Sequence, residues 1–234
     1  MTEQDAGDLL REATTFAERA SDLLAKCLPS APALDVTWTG TRASLTPHGQ
    51  TEKAGGVPLS TVGEQVAWLR IDFLCRLNSS AEFLAIDKSK IWVVAEVDKT
   101  PIFRFEYLYD TEWVPHSHIQ VHAERGALAH LLSRTGHKRP HSLSALHLPT
   151  GGARFRPGLE DVLQFLIEDC KFDSLPTWRD AVLRERAEWR RIQTRTVARA
   201  WPEEAAKQLQ AMGYSVSPPD GGHPSPSKKT LASW

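Results

Sequence analysis

The chain has 234 residues, 41% of them hydrophobic and 24% charged, with a formal net charge of −1; this suits a globular protein with a self-sufficient core and excludes fibrous, wholly disordered and membrane-embedded classes. No stretch approaches the roughly 20 apolar residues that a spanning helix needs. Cys27, Cys75 and Cys170 are widely separated in apolar contexts, so neither a disulfide framework nor a C-x-x-C pair is expected. The N-terminal TEQDAGDLLREA carries acids where a secretory signal would be basic and then apolar, and the expectation is a cytoplasmic protein.

In chain order, Ala6, Leu9, Leu10, Ala13, Phe16, Ala17, Ala20, Leu23, Leu24 and Cys27 recur at three- and four-residue steps. They predict an amphipathic N-terminal helix over 1–28 that stops before Pro29. The segment to Glu64 is rich in Pro, Gly, Ser and Thr, with a hairpin from LDVTWTG to RASLTPH and then a loop holding Gly55, Gly56 and Pro58. VAWLRIDFLCRL, AEFLAID, KIWVVAEVD, PIFRFEYLYD and SHIQVHAE follow as strands, separated by NSS, DKS and DKT turns. In the first of them Leu69, Ile71, Phe73, Cys75 and Leu77 point one way and Arg70, Asp72 and Arg76 the other.

After the strands, GALAHLLSRTG reads as a helix ending near Gly136 and PGLEDVLQFLIEDC as a second, opened by Pro157. A longer helix begins near Ser174 or Pro176, breaks at Trp201-Pro202, and is followed by EEAAKQLQAM, closed by Gly213. Strands followed by helices predict an α+β fold. The expected sheet is antiparallel, of five or more strands, with helices on one face and a C-terminal helical arm. One domain spans 1–214, mainly β over 34–124 and mainly α over 125–213, and 215–234 form a disordered tail.

In PHSHIQVHAERG, His116, His118, Gln120 and His122 occupy every second position. A hairpin with PIFRFEYLYD that sets Leu108 opposite His118, Glu106 opposite Gln120 and Arg104 opposite His122 puts Arg104 and Glu106 on the histidine face. Phe103, Phe105, Tyr107, Ile119 and Val121 then share the other. Such a face could hold a metal through His116 and His118, although no third ligand is evident. It could cleave a phosphodiester without metal, with His118 and His122 as acid and base, Arg104 as charge stabiliser and Glu106 as orienting partner. It could simply bind phosphates or bases, or it could be a solvated sheet face. No metal or other cofactor is expected.

Basic charge is local. From Arg125 through Leu159 there is no Asp or Glu, and Lys138 and Arg139 in one loop, with Arg154 and Arg156 in another after Gly151 and Gly152, are candidate phosphate ligands. Arg191 and Arg195 join Arg190 and Arg199 in a cationic stripe on the long helix. Trp113, ahead of the histidine strand, is expected to be exposed.

The block PHSHIQVHAERGALAHLL, with LHLPTGGARFRPGLEDVLQFLIEDC, the WRRIQ helix and WPEEAAKQLQAMGY, resembles a family of uncharacterised proteins from high-GC Gram-positive bacteria over roughly residues 66 to 214, a resemblance that implies no activity. FRFEYLYD followed by PHSH is similar, over a short stretch, to TumE-type toxins of bacterial toxin–antitoxin pairs. The expectation is a protein that binds RNA, DNA or another phosphate ligand, with metal-independent RNA cleavage as the chemistry the histidines would perform. The alternative is a non-catalytic module that binds a protein partner or another copy of itself, and no membrane partner is expected.

Overall fold

The first apolar stripe is realised as α1 (Glu3–Cys27), with Leu9, Ala13, Ala17, Ala20, Leu23, Leu24 and Cys27 buried. A helix end leaves carbonyls without partners, and distant chain supplies them: the Leu175 N–H donates to the Cys27 carbonyl and the Thr177 hydroxyl to that of Lys26. The structure is a computed structural model and describes residues 3–52, 54–78, 81–111, 113–123, 126–134, 138–150 and 155–225. Arg125, Gly136, Gly151, Gly152, Arg154 and tail residues 226–234 lie outside the described residues.

β1 (Leu34–Trp38) and β2 (Ala43–Pro47) form the predicted hairpin. β3 (Val57–Thr61), β4 (Glu64–Leu77), β5 (Leu84–Ala95), β6 (Pro101–Leu108), β7 (Ser117–Val121) and the two-residue β8 (Leu148–Pro149) complete an eight-stranded antiparallel sheet. Then come α2 (Gly126–Arg134), a 3-10 turn at Leu143–Ala145 that precedes β8, α3 (Leu159–Glu168), α4 (Trp178–Ala200) and α5 (Pro202–Ala211). The protein is α+β, and among the described residues no helix is long and apolar enough to cross a membrane.

Two predicted strands, AEFLAID and KIWVVAEVD, are one. The DKS segment continues the ladder, with Lys88 opposite Leu74 and Lys90 opposite Asp72. β3 occupies part of the stretch expected to be loop; its Pro58, opposite Trp68, is tolerated because β3 is an edge strand.

The order is β1-β2-β4-β5-β6-β7-β8, with β3 paired to β4 off this path. β4 therefore serves two strands along one edge: β3 pairs with residues 64–69 and β2 with residues 73–75. Between them the Gln50 side chain stands in for a strand. Its amide nitrogen donates to the Ile71 carbonyl at 2.8 Å, and its oxygen accepts from the Ile71 N–H at 3.1 Å. The chain then returns to β4 at Gly56, whose φ of +131° and distance of 2.7 Å from a virtual Cβ to the Leu69 carbonyl leave no room for a side chain.

The core lies on one face of the sheet. Leu69, Ile71, Phe73 and Cys75 of β4 and Ile91 and Val93 of β5 pack in one apolar cluster with α1, α3 and the start of α4. Phe103 and Phe105 of β6 meet Phe165 of α3 at ring-centroid distances of 5.3 and 6.0 Å. The opposite parity carries Arg70, Asp72, Lys90, Trp92, Arg104, Glu106, His118 and Gln120, which pair with one another across β4 to β7. None of them belongs to the apolar cluster.

Candidate functional site

The β6–β7 hairpin brings Glu106 opposite His118 and Arg104 opposite Gln120, a two-residue slip from the expected register. Side chains alternate with period two, so the slip leaves every residue on its predicted face. The connector explains it: pairing starts early, at the Leu108 N–H donating to the His116 carbonyl, and the described residues between 109 and 115 form no strand. Trp113 in that connector is 90% exposed.

His118 is 1% exposed. Its Nδ1 lies 2.9 Å from the Pro115 carbonyl and its Nε2 3.2 Å from Glu106 Oε2; both partners are acceptors, so both contacts are hydrogen bonds when both ring nitrogens carry protons. Arg104 donates Nε and Nη2 to Glu106 Oε1 at 3.2 and 2.7 Å, and Lys90 Nζ stands 3.6 Å from the same oxygen. Burial pushes the Glu106 carboxyl up, but the hydrogen bonds from His118 and Arg104 and the charges of Arg104 and Lys90 outweigh it, holding the group down at about 2. Glu106 is thus the hub on which Arg104, Lys90 and His118 converge within the sheet.

The cover on this cluster comes from far along the chain. His147 packs edge-on against His118 at 4.7 Å, Pro149 of β8 pairs with His118, and the Gln120 amide donates to the Ser144 carbonyl at 3.0 Å. Among the described residues, Gln120 Oε1, His116 Nδ1 and His122 Nε2 are buried without a hydrogen-bond partner. Burial first, and the Arg104 charge, lower the pKa of His122; burial, His118 and Arg104 lower that of His147. An imidazole that must exchange protons with a substrate needs access, and His118 has none.

The predicted basic ligands divide: Arg139 is near enough to His147 to act on it through its charge, whereas Arg156, Arg191 and Arg195 belong to the helix side of the sheet. Lys138 and Arg139 are exposed in the loop before the 3-10 turn. Arg156 belongs to the helix side of the sheet: its guanidinium carbon lies 4.2 Å from the Tyr107 ring centroid and 4.7 Å from that of Trp189 in α4, a stacking arrangement that suits arginine. Arg191 pairs with Glu188 and Arg195 is exposed, both on α4, which packs against α1 and α3. Among the described residues no three His, Cys, Asp or Glu side chains form a metal-binding group.

The open part of the polar face lies elsewhere. Thr46, Gln50, Thr51 and Glu52 from the end of β2 and the loop after it, with Arg70, Asp72, Lys90 and Trp92, line a solvent-open groove of about 350 Å³. Arg70 is 8% exposed. Its Nη1 donates to the Glu52 carbonyl at 3.1 Å and its Nη2 to the Thr51 carbonyl. Asp72 is engaged by Lys88 at 2.8 Å. Sequence reasoning placed Arg70 and Asp72 on the polar face but missed the groove; Lys88, Lys90 and Trp92 at alternate positions carried the signal and were divided by reading DKS as a turn.

The chain matches no protein-family model, no curated protein and no solved structure.

Proposed function

We propose that this protein is a non-catalytic binder of nucleic acid or another phosphate-bearing ligand, engaged on the face of the sheet opposite α1, α3 and α4. One observation carries this: over residues 70–74 of β4, 88–92 of β5 and 104–108 of β6 that face carries Arg70, Lys88, Lys90 and Arg104 against Asp72 and Glu106, and the groove is its open part. Cations that neutralise phosphates release counterions, and that release drives association. Cleavage is left out because the imidazole expected to perform it is enclosed and both its nitrogens are engaged within the fold.

The test is fluorescence anisotropy with labelled single-stranded RNA and DNA. Affinity is expected to fall steeply between about 50 and 200 mM salt, with the RNA intact whether or not a chelator is present. Binding indifferent to salt, or no binding, refutes the proposal; RNA cleavage that disappears in His118→Ala refutes its non-catalytic part.

A further inference from the structure

We infer that the groove between the Gln50–Glu52 loop and strands β4 and β5 is a phosphate site, in which Arg70 and Lys90 hold the anion beside Trp92. This rests on the function proposed above and narrows it to one place and one chemical group.

Arg70 gives the first reason. Among the described residues, the hydrogen bonds its guanidinium makes go to neutral main-chain carbonyls, its Nε has no partner, and no carboxylate forms an ion pair with it. A full charge so deeply placed is costly without a counter-charge. The Nε–H is a buried donor left unused among the described residues.

Lys90 gives the second. Its Nζ lies 4.8 Å from the Trp92 ring centroid, and the Arg70 guanidinium carbon lies 5.2 Å from the same ring. The indole attracts each cation, yet the two repel each other, and the acid nearest Lys90, Glu106 at 3.6 Å, already serves Arg104 and His118. An anionic oxygen beside both cations removes that repulsion. Asp72, paired with Lys88, also lines the groove and acts on Lys90 through its charge, so an anion seated there must displace part of that interaction.

Size and surroundings set the ligand. A groove of about 350 Å³ is at the lower end of the range of about 300–1,000 Å³ for small-molecule sites, which suits a phosphate with one sugar-sized group attached. Thr46 and Thr51 are in the lining, with the Thr51 hydroxyl bonded to the Ala54 main chain, and the exposed Glu52 opposes an anion. Inorganic phosphate, a sugar phosphate and the backbone of a single strand present the same chemistry.

The test uses the full chain, nitrogen-15 labelled, following the Arg70 Nε–H and Trp92 indole N–H resonances during separate titrations with inorganic phosphate, ribose 5-phosphate and a short single-stranded RNA. Both resonances are expected to move. Lys90→Gln weakens binding about tenfold, as loss of one charge-assisted hydrogen bond implies, and Glu52→Gln, at an exposed position, tightens it; the rest of the spectrum reports that both variants are folded. Resonances unmoved by all three ligands, or equal affinity in Lys90→Gln, overturn the inference. RNA that binds with a salt dependence while leaving Arg70 unmoved overturns this site and leaves the proposed function standing. Phosphate bound at Arg70 with RNA ignored supports the site and confines the function to small phosphate esters.

Discussion

Glu106→Gln tests whether the cluster beneath His147 is structural. The carboxyl is lowered from 4.5 to about 2; at 1.36 kcal/mol per tenfold change in proton affinity this is about 3 kcal/mol of folding stability. The sign follows from the direction. A carboxyl whose folded value is depressed contributes fully above its unfolded value, and the contribution is lost as pH falls through 4.5 towards 2. The substituted amide keeps the shape of the side chain but brings no charge to Arg104, Lys90 and His118, so at pH 7 the variant is expected to be about 3 kcal/mol less stable, in line with breaking a buried pair. Denaturant unfolding followed by tryptophan fluorescence, at steps from pH 7 down to about pH 3, measures the gap between the two proteins. It narrows on acidification. A gap that stays constant across that range, or is absent at pH 7, would refute the electrostatic account.

Glu160, 3% exposed in the first turn of α3, behaves in the opposite sense. Burial, against a main-chain hydrogen bond and with smaller contributions from Asp161 and Glu185 opposed by Arg186, pushes it up to about 7. The wild type is then most stable below about pH 4.5 and loses stability as pH rises through 7, so Glu160→Gln gains about 3 kcal/mol at pH 8 and nothing at pH 4; an equal effect at both pH values would disprove the cause. Gln50→Ala removes both hydrogen bonds to Ile71 and costs about 2 kcal/mol, with the Ile71 amide exchanging hydrogen faster; unchanged protection there would mean that the side chain does not act as a strand. His118→Ala leaves Glu106 without one of its donors and opens a void, at a cost of about 3 kcal/mol, while oligonucleotide affinity of the folded variant stays within about twofold by anisotropy. A large loss of affinity would restore His118 to the binding surface.

The faces of the strands were legible because alternation is local: Arg70 and Asp72 against Leu69 and Ile71 needs no knowledge of the rest of the chain. Register was not, since an eight-residue connector between β6 and β7 imposes no single pairing, and only the parity survived. The enclosure of His118 was invisible because its cover comes from residues 144–149, with nothing near PHSHIQ to announce it. Arg156 was read from charge and its loop, whereas its position is decided by rings of Tyr107 and Trp189 at remote points of the chain. The groove fails the same test of locality: Gln50 and Arg70 are brought together only by a gap along one edge of β4.

That gap has a consequence for how a ligand would be met. A connector stitched near its start by one amide, that of Gln50, has less freedom to lose on association, so the wall at that point is set before any encounter. Residues around it could be exchanged for others, altering what is admitted, while the stitch keeps the frame still.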